Sequence, residues 1–279
     1  MTGSVTVDGF AAGDHLCVGY ASREQQLGIV RDLALSALGA AERVICYTNQ
    51  LSSDEVVEAL RAADPRTAAA RDTGQLVFRA AEETYLITGA FEPDGMIDGW
   101  RAEIGETRAA GYPGLCMISD MSWAAGPVAG VSRLAWYEAQ ANRVYAGGYV
   151  RGVCLYDTTI FPPEWLRECG ASHPGTILPG DGVLSVQLRL RHTSEPRGLV
   201  VTGESDLATG AAFAAVLDGL SADVPGDGPL HVDVSGLAFA DVATVAALAR
   251  APEVRVIGAS AHLAFVLELV AEGRNGGGR

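Results

Sequence analysis

Short apolar runs alternate with stretches of helical periodicity through the first part of the chain. His15–Tyr20 (HLCVGY), Arg43–Thr48 (RVICYT), Gln75–Phe78 (QLVF), Gly114–Ser119 (GLCMIS) and Gly152–Tyr156 (GVCLY) are apolar on both alternating faces, which predicts short strands covered on both sides. Between them, Leu27, Val30, Ala34 and Leu38, and then Leu134, Tyr137, Ala141 and Val144, recur at intervals of three and four residues, the spacing of one-sided helices. Ser52 or Ser53 ahead of Asp54-Glu55 predicts a helix start, and Ile97, Trp100 and Ile104 mark another helical stripe that stops before Gly111-Tyr112-Pro113-Gly114. Strand and helix alternating in this order predict an α/β fold with a doubly wound, mostly parallel sheet.

The periodicity breaks at His173-Pro174-Gly175 and again at Pro179-Gly180-Asp181-Gly182, where a domain boundary is expected. Beyond it, a second and smaller α/β pattern reads as strands at Leu184–Leu190, Gly198–Gly203, Leu230–Val234 and Val254–Gly258, with helices at Ala208–Leu220, Val242–Ala249 and His262–Ala271. The expected division is a first domain over residues 1–180, a second over 183–272, each folding on its own apolar pattern, and a flexible glycine-rich tail over 273–279.

With 48% hydrophobic and 19% charged residues in 279, the chain has the composition of a globular protein. Its 34 acidic residues against 20 basic ones give a formal charge of −14, which repels nucleic acid and anionic lipid alike, so neither is an expected partner. Every basic residue is Arg. The absence of Lys excludes chemistry built on a P-loop, kinase or Schiff-base lysine. No basic segment followed by an apolar one opens the sequence and no stretch is long enough to span a bilayer, so a cytoplasmic protein is expected. Five cysteines without a C-x-x-C pair suggest neither a disulfide framework nor a zinc knuckle.

Ligands of open α/β sheets sit beyond the carboxyl ends of the strands. That rule selects Tyr20 with Arg23 and Glu24, Asn49, Arg79 with Tyr85, Asp120 with Trp123, and Asp157 as candidate ligand contacts. Asp120, ending an apolar strand, invites a nucleotide-hydrolase reading. The loop after the first strand, Gly19-Tyr20-Ala21-Ser22-Arg23-Glu24, has neither the glycines nor the Lys that would cradle phosphates. His15 and Cys17 share a strand face and give at most two metal ligands, so no metal and no cofactor are expected. The strand cysteines read as packed, inert thiols. No catalytic constellation emerges, and the expectation is a protein that is not an enzyme.

Several motifs occur in an ordered series: Asp14-His15-Leu16-Cys17-Val18-Gly19-Tyr20, Thr84-Tyr85-Leu86 with Gly89-Ala90-Phe91, Gly114 to Trp123 (GLCMISDMSW), Tyr137-Glu138-Ala139 with Asn142, Cys154-Leu155-Tyr156-Asp157 and His173-Pro174. This series resembles the MEDS sensory domain over about residues 10–178. The resemblance implies a RecA-like fold that binds small, hydrocarbon-derived signals, and Glu138, which falls in one of these motifs, joins the candidate ligand contacts. The second part resembles a STAS domain, the anti-sigma factor antagonist fold, over 183–272, through Gly203-Glu204-Ser205-Asp206-Leu207 and Asp233 to Asp241 (DVSGLAFAD). In that family a phosphorylated Ser follows the last Asp. Here the position is Val242, with Thr244 as a displaced candidate. The resemblance implies docking on an anti-sigma factor or serine-kinase-like switch protein through Asp206, Asp241, Val242 and Thr244. The expected function is a small-molecule sensor that controls a binding module; the alternative is a nucleotide-binding RecA-like protein with weak or lost hydrolysis. Asp241 also has a plain structural reading as a helix cap.

Overall fold

The computed structural model describes residues 9–178, 186–251 and 253–276. The first lobe is a six-stranded sheet, all parallel, formed by β1 (His15–Tyr20), β2 (Arg43–Thr48), β3 (Leu76–Ala80), β4 (Leu115–Asp120), β5 (Val150–Asp157) and β6 (Gly175–Ile177) in the order β3-β2-β4-β5-β1-β6. Alternate strand residues feed two separate cores. Leu16, Val18, Val44, Cys46, Cys116 and Ile118 face α1 (Arg23–Gly39) and α2 (Ser53–Ala63). Cys17, Ile45, Tyr47, Met117, Cys154 and Tyr156 face α3 (Met96–Ala109), α4 (Leu134–Tyr145) and α5 (Pro163–Gly170). The apolar-on-both-sides strands thus have a helical layer on each side, as parallel sheets require.

Local signals fix the helix starts. Ser52, rather than Ser53, caps α2: its Oγ accepts from the Glu55 amide at 3.3 Å, while its own amide donates to Glu55 Oε2 at 2.9 Å, a reciprocal capping box. Two elements of the first lobe, β6 and α5, lie outside the sequence pattern. His173-Pro174-Gly175 does not open a linker; Gly175–Ile177 pairs with β1 as the edge strand β6, and His173 is wholly buried. Pro162-Pro163 starts α5, since a proline in the first turn has no amide to leave unsatisfied. The proposed linker at Pro179–Gly182 lies outside the described residues.

The second lobe holds a four-stranded mixed sheet in the order β10-β9-β8-β7, from β7 (Leu188–Ser194), β8 (Arg197–Ser205), β9 (Leu230–Ala240) and β10 (Val254–Ile257). Only β7 and β8 pair antiparallel. It packs with α6 (Gly210–Asp223), α7 (Val242–Arg250) and α8 (Ala261–Gly276) around a core of Leu188, Leu199, Phe213, Val216, Val232 and Leu248. Strand β9 runs six residues past the expected end at Val234, because Gly236 to Ala240 keep pairing with β8 beyond a bulge. Helix α8 continues to Gly276, past the start of the expected tail at 273; one interior glycine costs about 1 kcal/mol, which a helix of this length absorbs.

The lobes meet along α4 and α6. Asp223, at the end of α6, accepts from Arg143 of α4 and Arg101 of α3, and Ala146, just after α4, belongs to the second lobe's core. Gly219 of α6 lies under Arg143, where a Cβ would collide with the guanidinium. On the other side of the contact Asp14, immediately before β1, accepts from Arg189 and Arg191 of β7 at 3.1 and 2.9 Å.

Candidate functional site

The strand order reverses between β2 and β4, and the crevice at their carboxyl ends is where a ligand of this sheet type is expected. Asn49 and Asp120 do meet there. Asp120 is buried and its carboxylate is already committed: Oδ2 accepts from Gln26 Nε2 at 2.9 Å and the Gln50 amide at 2.8 Å, and Oδ1 from the Ser122 amide at 3.0 Å. Asn49 Nδ2 donates to Ser122 Oγ at 2.8 Å. The void beside Asp120 measures about 10 Å³, at the lower limit for one water molecule. Start of α1 is likewise closed on itself, with Ser22 Oγ accepting from the Gln25 amide and Gln25 Oε1 from the Ala21 amide.

The remaining strand-end candidates scatter. Tyr20 is buried, its hydroxyl pushed to a higher pKa by burial and by the Asp120 and Asp157 carboxylates. Arg23 is exposed, donates to the Gln50 carbonyl and forms a bidentate pair with Glu55, whose carboxyl the guanidinium holds down at about 2. Glu24 faces solvent in the first turn of α1. Asp157 accepts from the Thr159 amide and hydroxyl, a local turn.

A larger cavity of about 400 Å³ lies beside this crevice, between β2, β3 and α3. Tyr47, Tyr85 and Trp100 form its aromatic wall, Arg79 and Glu103 its charged end, and Ile87, exposed over 74% of its surface, stands at the rim. Tyr85 stacks on Trp123 at 5.0 Å and donates to Ser119 Oγ at 3.1 Å, so its ring is fixed. Glu103 is shared by Arg43 at 3.1 Å and Arg79 at 3.4 Å, leaving Arg79 with donor capacity to spare. Of the sequence candidates, Tyr85 and Arg79 border this cavity. Tyr47, Trp100 and Glu103 were not singled out, and the helical stripe that contained Trp100 was the available signal.

Glu138 sits apart from both spaces, inside the α4–α5 face of the sheet. It is fully buried with His15, Cys154 and His173, and one ligand atom from each of the four lies within 4.8 Å of the others. The sequence reading counted His15 and Cys17 as at most two ligands; in the structure His15 meets three other potential ligands instead, because β1–β5 pairing sets it opposite Gly152, two residues along the same face from Cys154, and α4 and the turn after α5 supply the other two. Burial pushes the Glu138 carboxyl up to about 7 and the His173 imidazole down to about 4, and it lowers His15 as well. The Cys154 thiol is raised by burial and by Glu138.

In the second lobe Asp241 caps α7, accepting from the Thr244 amide at 2.8 Å, as the structural reading anticipated. Thr244 does not join a docking surface. It is 2% exposed, with its hydroxyl 2.8 Å from Ser205 Oγ, because the helix start turns it under β8. Asp206 accepts from the Ala208 amide, and Val242, Leu207 and Phe239 are 80%, 90% and 52% exposed at the same end of the sheet.

No helix among the described residues is long and apolar enough to cross a membrane. The curated proteins contain no match to this sequence. Among solved structures, the flagellar accessory protein FlaH from Methanocaldococcus jannaschii is similar at a TM-score of 0.43 and 16% identity, over 70% of this chain and 87% of that one. Residues 14–174, more than half of the chain and nearly all of the first lobe, match the profile of the methanogen/methylotroph, DcmR sensory domain. The chain belongs to the MEDS family.

Proposed function

We propose that this MEDS domain takes up a small molecule in the aromatic cavity and thereby controls the second lobe, a STAS-like module that acts by binding an anti-sigma factor or serine-kinase-like switch protein. The observation that carries the reading is the contact between the lobes: α4, packed on the sensory sheet, is clamped to α6 through Arg143 and Asp223. A ligand that shifts the α3–α4 layer has a direct mechanical route to the second lobe. The cavity suits a compact apolar body against Tyr47, Tyr85 and Trp100 with an anionic or hydrogen-bond-accepting end at Arg79. The exposed Leu207, Phe239 and Val242 supply apolar area for a protein partner beside Asp206 and Asp241.

The output in this reading is binding, with no catalytic step and no cofactor. The Asp120 carboxylate is committed to three protein donors, the Ala21 and Gln25 amides at the start of α1 are taken by Gln25 and Ser22, and the chain has no Lys, which together weigh against the nucleotide alternative.

The test is a titration of the full chain with a series of short straight-chain carboxylates and alcohols, followed by tryptophan fluorescence. The expected result is a saturable change that disappears in Trp100→Phe, with weakened carboxylate binding in Arg79→Ala. Saturable binding that ignores both substitutions would place the ligand elsewhere, and steady hydrolysis of ATP by the purified chain would overturn the binding-only reading.

A further inference from the structure

The hydrogen-bond partners around the buried cluster fix where its protons are. Asn142 Nδ2 lies 3.0, 3.0 and 2.8 Å from the carbonyls of Glu138, Ala139 and Ser172, so its Oδ1 is the atom facing His15. An amide oxygen only accepts, and His15 Nδ1, 3.1 Å away, must carry the ring proton. His15 Nε2 therefore presents a lone pair toward Cys154 Sγ at 3.3 Å and Glu138 Oε2 at 3.6 Å. His173 repeats the arrangement: Nδ1 donates to the Cys169 carbonyl at 2.7 Å, leaving the Nε2 lone pair 3.5 Å from Glu138 Oε2 with no hydrogen-bond partner, although the residue is wholly buried. Glu138 Oε1 is occupied by the Tyr156 hydroxyl at 2.6 Å, so Oε2 is the oxygen turned to the two imidazoles. Two nitrogen lone pairs and a carboxylate oxygen thus converge, with the Cys154 thiol at 3.5 Å the one protein hydrogen among the described residues aimed at that oxygen.

We infer that His15, Glu138, Cys154 and His173 form a four-ligand site for a divalent transition-metal ion of the zinc class. The separations support an ion at the centre over a shared proton. Hydrogen bonds between nitrogen and oxygen span about 2.7–3.2 Å, shorter than the 3.5 and 3.6 Å found here. A tetrahedron with metal–ligand bonds of about 2.0–2.3 Å has edges of about 3.3–3.8 Å, which brackets four of the six ligand pairs; the other two, His173 with His15 and with Cys154, lie within 4.8 Å. Charge agrees as well: one thiolate and one carboxylate neutralise a dication, so the filled site carries no net charge into the core. The groups behind the ligands have the form that metal sites use, with Asn142 on His15, the Cys169 carbonyl on His173 and Tyr156 on Glu138 each holding a ligand in its binding orientation. Binding releases the Cys154 thiol proton to solvent, together with any proton that the Glu138 carboxyl holds. The cluster and the aromatic cavity share no residue.

The full chain, produced in zinc-supplemented medium and purified without chelator, is expected to contain about one equivalent of metal by elemental analysis. Cobalt(II) added to metal-stripped protein is expected to give the visible absorption of a tetrahedral ion and a thiolate-to-cobalt band. Cys154→Ser should lose that band while keeping its near-ultraviolet circular dichroism, and Asn142→Ala should weaken affinity about 10–100-fold by freeing His15. His173→Gln should lower cobalt affinity, and if that variant does not fold, the Cys154→Ser spectrum decides. A folded wild-type chain that carries no metal and shows no spectral change with cobalt would overturn the inference, as would identical cobalt spectra for wild type and Cys154→Ser.

Discussion

Arg143 and Asp223 meet across the two lobes with both nitrogen–oxygen pairs formed, Nε to Oδ2 at 2.7 Å and Nη2 to Oδ1 at 2.9 Å. The Asp223 side chain is 4% exposed and also takes Arg101, so one carboxylate gathers two helices of the first lobe onto α6. Asp223→Ala should loosen this contact and lower stability by about 1–2 kcal/mol, the smaller end of the range for a charged hydrogen-bonded group, because Arg101 is half exposed and returns to water. Urea denaturation should show the loss. An unchanged midpoint would mean that apolar packing alone joins the lobes.

Asp120 separates a structural role from a ligand-binding one. Asp120→Ala leaves the Gln26 amide and the amides of Gln50 and Ser122 without their acceptor in a closed space, and a loss of about 2–3 kcal/mol is expected. Ligand affinity in the aromatic cavity should change little in a chain that remains folded. Thermal denaturation alongside the fluorescence titration reads both quantities.

His192 on β7 makes the joined lobes sensitive to acid. Burial lowers its pKa below the ordinary 6.5, against the pull of Asp223 and helped by Arg143 and Arg101. The unfolded chain then binds a proton that the folded chain refuses, so the contribution is complete above pH 6.5 and declines as the pH falls below it. His192→Gln should flatten that decline. Urea midpoints for both proteins on either side of pH 6.5 measure the difference, and parallel pH profiles would remove His192 from the account.

Phosphorylation should find no acceptor at the start of α7. Thr244 is enclosed by Ser205, and the exposed Val242 has no hydroxyl. Treatment with a serine-kinase-like partner should leave the wild-type mass unchanged, whereas Val242→Ser should gain one phosphate. Phosphate found on Thr244 by peptide mass mapping would contradict the closed packing of its hydroxyl against Ser205.

Much of the architecture was legible because β1 to β5 are apolar on both faces and the helices carry three-and-four spacing. β6 was not, since three residues hold no period and His173-Pro174-Gly175 has the composition of a breaker. The strand-end rule led to Asp120 and Asn49, but it could not reveal that Gln26, Gln50 and Ser122 would fill the crevice. The buried cluster was hidden for a different reason. His15 and Cys154 stand 139 positions apart, and no local spacing joins them; the parallel register of β1 and β5 does. The motifs that mark the family held all four residues without indicating that they converge.

The place of β1 in the sheet carries a consequence for synthesis. Both of its neighbours, β5 and β6, lie far downstream, so a nascent chain leaves the ribosome with the first strand unpaired until more than half of the protein has been translated. Closing such a distant pairing is entropically slow. Until then Leu16, Val18 and the open edges of β1 are available to other chains, and the sheet cannot finish its assembly before the segment carrying His173 has emerged. Production of this protein should therefore depend on holding the early strand apart from its neighbours during elongation, and slower, cooler expression should raise the yield of folded material.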